Sequence, residues 1–145
     1  MSHWQTGKLQ LKCSMAVLKR ALLNIMPEWE AHIREDASGK LEADNRFGHG
    51  KKSGFNLVVQ LLPGSDLGFK QEADGSWTAM YDAYDLPRKV RGEGGIEGEV
   101  LQEVSAMRAR AIAQINGLQI VKDSSVGNER IIEMLAPIGT EGIRA

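Results

Sequence analysis

The groups with which this chain could do chemistry are few. His3, His32 and His49 are its imidazoles and Cys13 its one thiol. No two histidines stand three or four residues apart, the spacing that puts two metal ligands on one helical turn. A single cysteine excludes an internal disulfide and a Cys-rich zinc site. Cys13 falls at an expected strand-to-helix junction, where the helix N-terminus would lower its pKa. Free cysteines are more often small core hydrophobes. Asp82 and Asp85 flank Ala83-Tyr84 and could share a cation or do acid–base work; solvation explains them equally well. No G-x-S-x-G elbow is present. A small enzyme using Asp82, Asp85 or Cys13 is therefore a reading without a catalytic constellation behind it.

Phosphate chemistry has two places to look. Residues 48–54, "GHGKKSG", have the flavour of a phosphate-binding loop, but Asn45 stands where the upstream glycine is required and a strand pattern follows instead of a helix. Lys51 and Lys52, with Arg88, Lys89 and Arg91, could form a patch for phosphates, with Tyr84 or Trp77 as a stacking platform. Glu93, Glu97 and Glu99 follow directly and dilute that field. The net charge of -1 gives no global attraction for nucleic acid or an anionic membrane. No cofactor or metal motif is present, and none is expected.

The elements that must position these groups read as follows. With 145 residues, 42% hydrophobic and 26% charged, the chain suits one domain over 1–137 with a loose tail at 138–145. It has no apolar run of about eighteen residues and no signal-peptide core, which predicts a soluble cytoplasmic protein without a membrane partner. Residues 4–12 alternate as a first strand. Ser14 is placed to cap a helix whose apolar face carries Leu18, Ala21, Leu22 and Ile25, and Pro27 stops it. "FNLVVQLL" at 55–62 reads as one central strand buried on both faces. Residues 83–98, with Pro87 and four glycines, read as a loop. A second helix over about 97–116 ends at Asn116-Gly117, followed by "LQIVKD" and "ERIIEML" as two closing strands.

Between 67 and 82, "LGFKQEADGSWTAMYD" is a hairpin pattern. An Asp-Gly pair between alternating runs predicts a type I′ turn, with Ala73 opposite Ser76. That register sets Phe69 opposite Met80 and Tyr81 opposite Gly68, with the Phe69/Met80 face in the core. Trp77 and Tyr81 then lie on a second, more mixed face, where the Tyr81 ring would cover the Gly68 backbone. The element order predicts an α+β fold, a mainly antiparallel sheet with two helices on one face. A ferredoxin-like (split β-α-β) arrangement with extra strands fits that order.

Met1-Ser2-His3-Trp4, Asp66-Leu67-Gly68-Phe69, Asp74-Gly75-Ser76-Trp77, Asp82 and the closing "INGLQIVKDSSVGNERIIEML" carry a resemblance. The chain resembles the family of cyanobacterial, plastid and phage proteins called hypothetical chloroplast reading frame thirty-five. That resemblance brings no established activity and no catalytic residues. It implies a partner or adaptor role, because family members lie beside an AAA-type ATPase.

The leading expectation is thus a non-catalytic protein-interaction or assembly module, joining a protein partner or a second copy of itself. Trp77, Tyr81, Tyr84 and Trp4 are its aromatic anchors. The alternative is a nucleic-acid or nucleotide-phosphate binder using Lys51, Lys52, Arg88, Lys89 and Arg91.

Overall fold

The computed structural model describes residues 4–45, 50–91, 94–117, 119–126 and 129–135. Strand β1 (Gln5–Lys12) buries Leu9 and Leu11 and turns Lys8, Gln10 and Lys12 outward, as its alternation requires. Helix α1 (Met15–Ile25) starts where the Ser14 hydroxyl accepts the Val17 N–H at 3.2 Å, and its buried face is Leu18, Ala21, Leu22 and Ile25. Pro27 ends it and opens a 3₁₀ turn over Pro27–His32 that buries Trp29.

The chain continues through β2 (Ile33–Glu35), β3 (Leu41–Ala43), β4 (Lys52–Phe55), β5 (Leu57–Leu62), β6 (Ser65–Gln71) and β7 (Ser76–Tyr81). Helix α2 (Gly95–Ile115) and the hairpin β8 (Gln119–Val126) and β9 (Glu129–Leu135) complete the described chain. The main sheet is antiparallel throughout, in the order β1-β7-β6-β5-β2. β3 pairs with β4 and β8 with β9 in separate two-stranded sheets. No helix among the described residues is long and apolar enough to cross a membrane.

The fold is α+β, as the element order predicts. Alternation of antiparallel neighbours makes β1 and β2 run the same way. They are joined through α1, with β7, β6 and β5 between them, so the split β-α-β unit is present in stretched form. The ferredoxin-like version is corrected. It interposes one strand and returns the last helix to a strand beside the first, whereas three strands stand between β1 and β2 here and β8, among the described residues, pairs with β9 alone.

Both helices cover one face. Leu18 and Leu22 of α1 and Ile96, Val100 and Val104 of α2 close over Leu9, Leu57, Leu67, Phe69 and Trp77. A second, smaller core of Ala43, Phe55 and Val58 lies on the opposite face, with Trp4, Leu41 and Met80 packed against it. Each fully buried Leu, Val or Phe contributes roughly 1.5–3 kcal/mol over its exposed state.

Two readings of the strands are corrected. The run 55–62 is two strands, and only Phe55 and Leu57–Val59 are buried, whereas Gln60 and Leu62 are exposed. Phe55 ends β4, the chain steps at Asn56, and β5 enters the main sheet. Asn56 pins the step: its N–H donates to Phe69 O at 2.9 Å and its Oδ1 accepts from Gln71 N at 2.9 Å. Its Nδ2 donates to Ala37 O at 3.2 Å.

The hairpin register differs from the type I′ expectation by one residue. Gly75 N–H donates to Glu72 O at 3.0 Å, and Gly75, at φ 89°, is the αL residue that follows a type I turn. Asp74 keeps a negative φ because its carboxylate accepts from Ser76 N at 2.9 Å and Ser76 Oγ at 2.6 Å. The three-residue loop pairs Phe69 with Ala79 and Gly68 with Met80. A one-residue slip exchanges the faces of a strand. Trp77, Ala79 and Tyr81 therefore enter the main core, and Met80 moves to the smaller one.

Candidate functional site

That slip decides the fate of the aromatic anchors. Trp77 is 1% exposed, and its Nε1–H donates to the Cys13 carbonyl at 2.9 Å. Tyr81 is buried, and its hydroxyl donates to Glu97 Oε1 at 2.6 Å. Burial, then that carboxylate, push the phenol far above its ordinary pKa. Neither ring can anchor a partner without leaving the core, which corrects both assignments. Trp4 is half-buried against the smaller core. Its Nε1 is buried without a hydrogen bond among the described residues. Of the four, Tyr84 alone faces solvent, at 65% exposure.

The basic residues are not brought together as one patch. Lys51 lines a cleft beside β2 and β3, whereas Lys89 lines another between the end of α1 and α2. Lys89 Nζ donates to Ile25 O at 2.6 Å, which satisfies a carbonyl at the negative end of α1. Arg91 donates through Nε to Leu86 O at 2.7 Å and through Nη2 to Tyr84 O at 2.9 Å. These two cations are spent tying down segment 84–91, whose Leu86 and Val90 are buried. Lys52, in β4, is exposed, and so is Arg88, in a 3₁₀ turn.

Asp82 and Asp85, considered for catalysis, each accept a hydrogen bond. Asp82 is 1% exposed, and its Oδ1 caps the turn Ala83–Asp85 by accepting the Tyr84 N–H at 3.0 Å. Asp85 Oδ2 accepts the buried Ser65 hydroxyl at 2.5 Å. Among the described residues, no group of three or more His, Cys, Asp or Glu side chains could hold a metal. Burial raises the Cys13 thiol against the lowering influence of Arg108 and Trp77, so the thiolate a nucleophile needs is disfavoured. His32 is exposed, and His3 and His49 lie outside the described residues.

The surface that stands out is on α2. As far as Met107 this helix packs on the main core. The helix also packs against β8 and β9, and Ala113 near its end is buried. On its outer side Ile112 is 55% and Ile115 83% exposed, with Leu101 on the same helical flank. Arg108 Nη2 ties the flank to Lys12 O at 2.5 Å. Arg110 bridges Glu103 at 3.5 Å and Asp123 at 2.7 Å, joining α2 to the hairpin. β8 and β9 pair only with each other among the described residues. Ile112 and Ile115 three residues apart, just before Asn116-Gly117, are the signal that could have marked an outer apolar face.

No protein-family model matches the chain, and no curated protein or solved structure matches it either.

Proposed function

We propose that this protein is a non-catalytic assembly module whose contact surface is the outer flank of α2 together with the β8–β9 hairpin. The observation that carries this reading is the exposure of Ile112 and Ile115 beside a two-stranded hairpin whose outer edges meet no other strand among the described residues. A two-stranded hairpin is marginal by itself and gains from further strands. Edges without a neighbouring strand offer unpaired backbone groups. The occupant is a second copy of this chain. Around a two-fold axis, a strand edge meets itself antiparallel, and the two isoleucine flanks are buried in the same step.

The test is the solution mass of wild type against an Ile112→Asp/Ile115→Asp variant, by light scattering coupled to size exclusion. Both positions are exposed, so each substitution should change monomer stability by no more than about 0.5 kcal/mol. Twice the monomer mass for wild type and a folded monomer for the variant support the reading. A wild type that stays monomeric at high concentration overturns it.

A further inference from the structure

A cavity of about 350 Å³ opens between β2, the β3–β4 pair and the start of β6. Its lining is charged and mixed in sign: Arg34 and Lys51 against Glu42, Asp44 and Asp66. Asp66 is buried in the floor, and its Oδ2 accepts the Asp44 N–H at 2.8 Å. Arg34 Nη2 stands 3.8 Å from that oxygen, too far for a hydrogen bond. Its contact with Glu42 O, at 3.4 Å, is long. Lys51 reaches Glu42 only at 4.0 Å and is 63% exposed. The cleft thus holds a carboxylate and a guanidinium as a loose ion pair, with few close hydrogen bonds to either among the described residues.

The geometry points to a binding site for the head of a free α-amino acid, with its ammonium on Asp66 and its carboxylate on Arg34 and Lys51. An α-amino acid carries both charges one carbon apart, and here the complementary charges are neighbours. Neither a simple anion nor a simple cation would satisfy both. Burial raises the Asp66 carboxyl above the usual range despite the Asp44 N–H and Arg34, so an added cation at this oxygen is favourable. Beyond the head, His32 and Gln60 line the cleft and favour a polar side chain. The site is distinct from the flank of α2, and its test is independent of self-association.

The experiment is calorimetric titration of the full chain with serine, asparagine and glutamine. The α-amide of the best ligand, which lacks the carboxylate, and its α-hydroxy acid, which lacks the ammonium, serve as controls. Arg34→Gln and Asp66→Asn should each weaken binding roughly ten- to hundredfold, the weight of one charged hydrogen bond. Lys51→Gln, at an exposed position, should weaken it less and keeps the test open if Asp66→Asn fails to fold. The proposal is overturned if none of the three amino acids binds at millimolar concentration, if Arg34→Gln and Lys51→Gln leave affinity unchanged, or if either analogue binds as tightly as its parent.

Discussion

Gly68 lies on β6 directly beneath the Phe55 ring, and Gly68→Ala is the sharpest probe of how the two sheets meet. A Cβ at this position would fall 2.7 Å from both Cδ1 and Cε1 of Phe55 and 3.0 Å from Cγ. The ring is 1% exposed and held by Ala43 and Val58, so it cannot swing away cheaply. Overpacking of this kind costs about 1–3 kcal/mol. Replacing a strand glycine returns about 0.4–1 kcal/mol through the unfolded chain. The expected net loss is thus roughly 0–2.6 kcal/mol, with a fall in melting temperature of a few degrees at mid-range. The decisive assay is a double-mutant cycle by urea denaturation with Phe55→Leu, which itself opens a cavity. If ring and Cβ collide, the second substitution should relieve the first, with a coupling of about 1–3 kcal/mol. Additivity within about 0.5 kcal/mol would refute the claim that Phe55 is why residue 68 is glycine.

Two further outcomes test the reading of the core. Trp77→Ala should destabilise the fold by about 3–5 kcal/mol in denaturant titrations, as loss of a buried indole does; a stable variant altered only in its self-association would restore Trp77 as a surface anchor. Asp66 has a folded-state pKa raised by burial, so the native state holds its proton to higher pH than the unfolded chain does. Stability should therefore fall as pH rises from the ordinary aspartate range through the raised value, and Asp66→Asn should remove that step from urea midpoints measured across acid pH.

Local signals in the sequence translated well. Ser14 caps its helix, Pro27 stops it, and α2 ends at Asn116-Gly117, because each depends on one residue's own backbone preference. What failed depended on choices that the local pattern leaves degenerate. Asp74-Gly75 suits a two-residue turn and a three-residue turn alike, and only the capture of Ser76 by the Asp74 carboxylate separates them. That single choice moved Trp77 and Tyr81 from an expected surface to the core. The apolar run 55–62 looks the same whether one strand is covered on both faces or two strands belong to different sheets. Asn56 separates those cases only through its contacts with Ala37 and Gln71. The cleft was invisible for a related reason: Arg34 and Asp66 lie on β2 and β6 and Asp44 just after β3, with no spacing to mark them.

The stretched β-α-β unit sets an order on assembly. Strands β5, β6 and β7 are joined by short turns and can pair as soon as each follows the last. Among the described residues β1 has its one sheet partner in β7, with Gln5 against Tyr81, so it must wait for the whole intervening chain. The cost of closing that long loop falls on the β1–β7 pairing, while the central meander forms from local contacts. During synthesis, β1 emerges before β7 and must wait for it, so the Leu9 and Leu11 backbone stays unpaired in the sheet until β7 is made.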